Sequence, residues 1–157
     1  MIIILFALLI AIADQLIKLF IISNAYRLPV IVEGLVRIVL VRNQGAAFSI
    51  FQGARWFFVV FTLLAQVAIF YIIFSKQVTH KLGVVSLIMI SGGSIGNLID
   101  RIYLGYVIDY IQFEFINFAV FNFADCFITV GCLLFAAYIL FFETRRPVKE
   151  KTDDDQG

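Results

Sequence analysis

Four long apolar runs, separated by more polar segments, dominate the chain. They cover residues 1–22, 56–74, 84–103 and 123–142, and each is close to the roughly 20 helical residues that cross a hydrocarbon core. The runs are continuous, whereas a strand of a membrane barrel alternates apolar and polar side chains over about ten residues. The pattern therefore predicts an all-α integral membrane protein, in which residues 1–157 form a single membrane domain with four transmembrane helices.

Composition supports this class. Hydrophobic residues make up 62% of the 157 residues, against about 45–50% in an ordinary soluble domain. The formal net charge of +1 gives no reason to expect a nucleic-acid partner. The first run has no Lys or Arg before it and continues to Ile22, which favours a retained helix over a removable signal peptide. Cys126 and Cys132 lie on different sides of one predicted helix, so we expect neither a disulfide between them nor a metal site.

The segment between the first two helices, residues 23–55, has a different pattern. β-Branched residues fill the stretch from Val30 to Val41, with Gly34 near its middle. Such a stretch predicts a small β-hairpin, which we place at the membrane surface. The other terminus, residues 143–157, is a charged tail that we expect to be solvated.

Basic residues in the connections predict the orientation. Lys76 and Lys81 lie between the second and third helices, the tail carries four more basic residues, and residues 104–122 contain no Lys or Arg. Lys and Arg accumulate in cytoplasmic loops, so both termini are predicted to be cytoplasmic. One segment disagrees, because residues 23–55 would be external and yet contain four arginines.

Polar residues within the apolar runs converge on the outer half of the membrane in this topology. Several share one side of a helix through spacings of three or four residues. They are Asp14, Lys18, Asn97, Asp100, Arg101, Asn122 and Asp125. Charge within lipid is expensive and usually functional, so the cluster predicts a site. The alternative is a network that only holds the bundle together, with Asp14 paired to Lys18 and Asp100 paired to Arg101.

Few reactive groups are available for chemistry at this site. The single histidine, His80, lies in a connection assigned to the cytoplasm, where we expect it to be solvated, and this disfavours zinc hydrolysis. Cys126 has no histidine to activate it. Lys18 as a base for Ser91 or Ser94 is disfavoured because Asp14, one turn away, would hold the ammonium protonated.

Asp109 and Asp125 remain, 16 residues apart in the sequence. Two carboxyl groups close enough to share a proton do not both ionise, so one can act as a base toward water while the other, protonated, polarises a carbonyl. We therefore predict aspartyl peptide hydrolysis without a metal or cofactor. Neither aspartate follows Gly-x-Gly, which excludes the presenilin pattern.

Two other classes remain as alternatives. The same acidic residues and Lys18 would form a relay in a small proton- or ion-coupled membrane protein, although the inner halves of the first and third helices contain no charge to extend it. A structural assembly subunit is the third reading, and it predicts that Asn replaces either aspartate without loss of function.

Five motifs in order give the chain a recognisable resemblance. It resembles the lipoprotein signal peptidases, or type II signal peptidases, from the first helix to the fourth. The motifs are Asp14-Gln15 with Lys18, Arg42-Asn43-Gln44-Gly45-Ala46-Ala47-Phe48, Gly92-Gly93 through Gly96-Asn97 to Asp100-Arg101, Val107-Ile108-Asp109-Tyr110, and Phe121-Asn122-Phe123-Ala124-Asp125. Tyr110 and the aromatic stretch Phe113–Phe121 depart from the commoner family residues, which affects substrate fit more than reaction type.

The resemblance implies a multi-pass enzyme of the bacterial cytoplasmic (inner) membrane, with its active site near the extracytoplasmic face. It would cleave the signal peptide of prolipoproteins just before the diacylglyceryl-modified cysteine, with that substrate and membrane lipid as its partners. Residues 23–55 would be the family's β-cradle, and residues 104–122 a lid in the interface. Asp109 and Asp125 would be catalytic, and the residues that bind substrate or support the site would be Asp14, Lys18, Asn43, Gly45, Asn97, Asp100, Arg101 and Asn122. The oligomeric state stays open.

Overall fold

Four helices form the bundle in a computed structural model that describes residues 2–27, 29–45 and 51–143. The predicted tail beyond residue 143 and Ala46–Phe48 of the second motif lie outside these residues. The helices are α1 (Ile2–Ser23), α2 (Arg55–Phe74), α3 (Lys81–Tyr103) and α4 (Phe123–Tyr138), and a π-helical turn, Ile139–Glu143, continues α4. All four are long and apolar enough to cross a membrane, which confirms the predicted fold class.

The third helix begins at Lys81, three residues before the predicted run. His80 caps it, because the ring Nδ1 accepts a hydrogen bond from the Leu82 N–H at 3.3 Å. The exposed His80 ring also stacks on Phe142, with 4.3 Å between the ring centroids. His80 is exposed, as expected, and it has a further role, since a side chain that satisfies a free N–H at a helix start contributes to helix stability.

Glycines on two sides of α3 allow the neighbouring helices to approach closely. A Cβ on Gly92 would lie 2.8 Å from the carbonyl oxygen of Ala7 in α1, and one on Gly93 would overlap the carbonyl oxygen of Ala124 in α4. Gly96 faces the carboxylate of Asp14 in α1, 2.6 Å from the position of a Cβ. Small residues at helix interfaces in membranes permit such backbone contact, and here they place α3 between α1 and α4.

A three-stranded antiparallel sheet lies at one end of the bundle. Strands β1 (Val30–Val32) and β2 (Val36–Asn43) form the predicted hairpin, with Gly34 in its turn at a φ of +72°. The third strand, β3 (Val107–Phe113), pairs with β2 in the order β1-β2-β3. The expectation of a lid over all of residues 104–122 is therefore wrong for β3, whose backbone groups are hydrogen-bonded within the sheet.

Two apolar clusters enclose the polar residues of the bundle. One joins α2, α3 and α4 near His80 and contains Ile69, Ile73, Val78, Leu87 and Tyr138. The other lies between α1 and the sheet and contains Ile21, Ile38, Ile108 and Tyr110. The sheet therefore closes one end of the bundle, and β3 brings Asp109 over the ends of α3 and α4.

Candidate active site

Lys18 is the centre of the buried polar network. Its side chain is 1% exposed, and its ammonium lies 2.8 Å from an oxygen of Asp14 and 2.8 Å from an oxygen of Asp100, both of them buried. The third ammonium contact is the side-chain oxygen of Asn97, at 3.0 Å. Three acceptors match the three N–H donors of an ammonium group, so Lys18 is held as a fixed cation between α1 and α3.

Asp100 therefore pairs with Lys18, and not with Arg101 as in the alternative of a purely structural network. The second Asp100 oxygen accepts a hydrogen bond from Gln15 Nε2 at 2.9 Å, and the oxygen that meets Lys18 also accepts from the Ile108 N–H at 3.1 Å. Adjacent residues on a helix point in different directions, so Asp100 faces α1 while Arg101 faces the other side. The Ile108 contact also ties α3 to β3, one residue before Asp109.

Two asparagines connect this network to the aspartates through hydrogen bonds. The Asn97 oxygen accepts from Lys18, and its Nδ2 donates to Asp125 Oδ1 at 2.8 Å. Asn122, which is fully buried, donates from Nδ2 to Asp109 Oδ1 at 2.7 Å and to Asn97 Oδ1 at 3.2 Å. Because Lys18 fixes which end of the Asn97 amide accepts, it also fixes which end donates to Asp125.

Asp109 lies on β3 and is 2% exposed. Its Oδ2 accepts a hydrogen bond from Asn43 Nδ2 at 2.8 Å, and Asn43 is itself fixed because its Oδ1 accepts from the Gly45 N–H at 2.9 Å. Burial, together with the nearby negative charge of Asp125, raises the pKa of Asp109 to about 6. A carboxyl group in this setting gains or loses its proton close to neutral pH, which suits acid or base catalysis.

Asp125 occupies the first turn of α4. Its backbone N–H donates to Asn122 Oδ1 at 2.9 Å, and its Oδ2 accepts from the Asn122 N–H at 3.1 Å, so the two residues form a reciprocal capping box. The buried Asp14 supports the same helix start, since its Oδ1 accepts from the Ala124 N–H at 3.1 Å. A helix start that is capped twice leaves the Asp125 carboxylate little freedom to move.

Arg101 lies beside both aspartates at the wall of the cavity. Its guanidinium donates to the Gly45 carbonyl at 3.3 Å and lies over the Phe58 ring, 4.8 Å from the centroid. Two arginines of residues 23–55 are held in the same way: Arg42 lies over the Tyr106 ring and Arg55 over the Trp56 ring. These cation–π contacts give Arg42 and Arg55 specific partners in a segment where the preference of basic residues for the cytoplasmic side does not predict them.

A cavity of about 480 Å³ opens in front of the two aspartates. Its polar end contains Asp109, Asp125 and their neighbours, and its other walls are the segment Phe118–Phe121 and one face of α4. The full lining is Asn43, Gly45, Asn97, Arg101, Val107, Asp109, Phe118, Ala119, Val120, Phe121, Asp125, Cys126, Thr129 and Val130. Because Thr129 and Val130 are exposed on the membrane-spanning part of α4, the cavity opens toward lipid.

The structure thus brings together the residues singled out in the sequence. Asn43, Gly45, Asn97, Arg101, Asp109 and Asp125 line the cavity, and the others form the network behind it. Sequence reasoning missed the role of Gln15, whose amide joins Asp100 to the Gly96 carbonyl at 3.0 Å; its place in the first motif was the signal. Ser91, the possible partner of Lys18, donates instead to Gln66 at 2.6 Å.

Four spans, a small sheet and a carboxylate-lined cavity define a multi-pass membrane protein with a buried polar site. Comparison with known proteins identifies the family to which this membrane protein belongs. Residues 6–141 match the model of the signal peptidase (SPase) II family, so this chain belongs to that family and is a protease.

Individual relatives and solved structures agree with the family match. The chain is 45% identical to the lipoprotein signal peptidase of Streptococcus thermophilus (strain CNRZ 1066) over 124 residues, which are 77% of this chain and 80% of the relative. It is 39% identical to that of Clostridioides difficile (strain 630), over 84% of this chain and 90% of the relative. A bacterial membrane enzyme solved by the in meso method at 2.3 Å resolution superposes with a TM-score of 0.83 at 27% identity, covering 95% of this chain and 93% of that one.

Proposed function

We propose that this protein removes the signal peptide of prolipoproteins by cleaving immediately before the diacylglyceryl-modified cysteine. We assign the chemistry to Asp109 and Asp125, called the aspartate pair below. The observation that carries the proposal is their convergence: a β-strand and a helix start bring both carboxylates to the end of one cavity. The names of the relatives support the substrate class, and the lipid-facing cavity suits a lipidated peptide.

The reaction follows from a pair that holds one proton. The ionised carboxylate accepts a proton from a water molecule while the water oxygen attacks the scissile carbonyl carbon. The protonated carboxyl donates a hydrogen bond to the carbonyl oxygen, where negative charge develops. Collapse of the tetrahedral intermediate breaks the C–N bond, and the proton taken from water passes to the leaving amine of the lipidated cysteine.

The surrounding residues orient the pair for these steps. Each carboxylate accepts two hydrogen bonds, Asp109 from Asn43 and Asn122, and Asp125 from Asn97 and the Asn122 backbone. These donors stabilise ionised carboxylates and restrict their rotation, so the remaining lone pairs face the cavity. Arg101 adds a positive charge in the same wall, which offsets part of the repulsion within the pair.

We place this site near the extracytoplasmic face of the bacterial cytoplasmic membrane, with both termini in the cytoplasm. The support is the distribution of basic residues in the loops, and the contacts of Arg42 and Arg55 with aromatic rings give those external arginines a separate reason to be there. A scissile bond next to a lipidated cysteine lies close to the lipid headgroups, at the depth where the spans end and the sheet begins.

The test is a cleavage assay on a purified diacylglyceryl-modified prolipoprotein, followed by the gel shift as the signal peptide is lost. Wild type is compared with Asp109→Asn and Asp125→Asn, each shown to be folded by its elution profile in detergent. Glu33→Gln, an exposed carboxylate at the hairpin turn, is the matched control. We expect cleavage by wild type and the control and none by the other two variants. Activity retained by both aspartate variants would refute the assignment of the aspartate pair.

A further inference from the structure

A second cavity shares Asp109 with the first. It has a volume of about 240 Å³ and is lined by Val41, Arg42, Asn43, Gln44, Gln52, Asp109, Ala119 and Val120. Asn43, Asp109, Ala119 and Val120 line both cavities. Asp109 and its Asn43 partner therefore stand between an apolar cavity and a polar one, and a chain bound across Asp109 would extend into both.

The two cavities differ in position and chemistry. The larger one runs along the membrane-spanning face of α4 past Cys126 and Val130. The smaller one lies at the end of β2, outside the four spans, and five of its eight residues carry polar side chains that can hydrogen-bond. An apolar segment or acyl chain is stable in the first, whereas a hydrated peptide segment is stable in the second.

We propose that the smaller cavity binds the polypeptide just after the lipidated cysteine, through hydrogen bonds from Gln44 and Gln52 to its backbone. This inference rests on the proposed function, because it assigns the second side of the same scissile bond. The signal peptide and the acyl chains are apolar, but the mature chain after the cysteine lies in water and leaves the bilayer. The polar cavity outside the spans is the one that matches it.

Gln44 and Gln52 are suited to this task. A carboxamide both donates and accepts, as a peptide group does, so it can pair with a backbone of any sequence. Both side chains are exposed and accessible to a peptide. The cavity has the volume of about eight water molecules in the liquid, enough for a short stretch of chain next to the cleaved bond.

Kinetics with two substrates test the inference. Both are diacylglyceryl-modified signal peptides; one ends at the cysteine as an amide, and the other continues for three residues beyond it. The enzyme variant is the double substitution Gln44→Ala with Gln52→Ala in the full chain. With the extended substrate we expect KM to rise about tenfold, as the loss of one or two hydrogen bonds predicts. With the short substrate we expect kcat and KM to match wild type within about twofold.

The short substrate is also the internal control for folding, since a damaged enzyme would lose activity on both. Gln77→Ala, a carboxamide between α2 and α3 at the opposite end of the bundle, is the matched control variant. Equal losses on both substrates, by a double variant that elutes in detergent as wild type does, would overturn the inference, and that is the result expected if the cavity received the acyl chains, which the substrates share. Wild-type kinetics of the double variant on the extended substrate would also overturn it.

Failure of the inference is distinguishable from failure of the proposed function. Cleavage of both substrates by wild type, none by Asp109→Asn, and no effect of the double substitution would reject only the subsite. Absence of cleavage by wild type, or cleavage by Asp109→Asn, would reject the proposed function and the subsite with it.

Discussion

Replacing Asp109 with Asn tests the burial of its carboxyl group through stability alone, without any substrate. The ordinary aspartate pKa of 3.8 is raised to about 6 in the folded protein, and each pH unit corresponds to about 1.4 kcal/mol. Below about pH 4 the carboxyl is protonated in both the folded and the unfolded chain, so it imposes no penalty. Between about pH 4 and pH 6 the unfolded chain ionises first, and above about pH 6 the folded state carries a constant penalty of about 3 kcal/mol.

A group whose pKa is raised by folding makes the folded state bind more protons than the unfolded state, so stability falls as pH rises. Asp109→Asn removes this dependence. It also places an amide NH₂ at one of the two oxygen positions that accept hydrogen bonds from Asn43 and Asn122, so one donor loses its acceptor, which costs about 1–3 kcal/mol at every pH. The informative quantity is therefore the change with pH of the stability difference between the variant and wild type, not the size of that difference at one pH.

The assay is thermal unfolding in detergent micelles from about pH 4.5 to about pH 7.5. Across this range we expect the stability of Asp109→Asn minus that of wild type to increase by about 2 kcal/mol, or about 4–8 °C in Tm for a chain of this length. Glu33→Gln, an exposed acid, should stay within about 0.5 kcal/mol of wild type throughout. A difference that is constant with pH, or that shrinks as pH rises, would refute the burial of an ionisable Asp109.

Four further outcomes follow from the same contacts. The rate of cleavage should pass through a maximum with pH, with an alkaline limb at about pH 6 or above as the pair loses its shared proton, and a flat profile would contradict this. Arg101→Ala should lower kcat/KM at least about tenfold because the cavity loses a charged donor. Lys76→Ala, at the opposite end of the bundle, should leave kcat/KM nearly unchanged. Equal losses in the two variants would contradict the assigned topology. Lys18→Ala should destabilise the protein by about 3–5 kcal/mol, since it leaves two buried carboxylates without their cation, as measured by thermal unfolding. Gly93→Ala should lower stability by about 1–3 kcal/mol through contact with the Ala124 carbonyl, and cleavage should fall with it because the start of α4 must shift.

Much of the architecture was readable along the chain. The four spans and the hairpin were predictable because each depends on a local pattern: a continuous apolar run, or β-branched residues around a glycine. Asp109 and Asp125 were selected because charge near lipid requires a reason and few other groups offer chemistry. They were assigned to one site because the predicted helix ends place them at the same depth in the membrane.

The pairing of those residues required the tertiary structure. Asp100 and Arg101 are neighbours in sequence, but a helix turns successive side chains apart, so Asp100 meets Lys18 and Gln15 across 82 and 85 residues. Strand β3 was not predicted because residues 107–113 become a strand only through the backbone partners supplied by β2. The second cavity has the same origin, because it exists only where β2, Gln52 and the segment around Ala119 meet. Local patterns determine which elements form, whereas contacts between distant segments determine which side chains meet in one polar network and line one cavity.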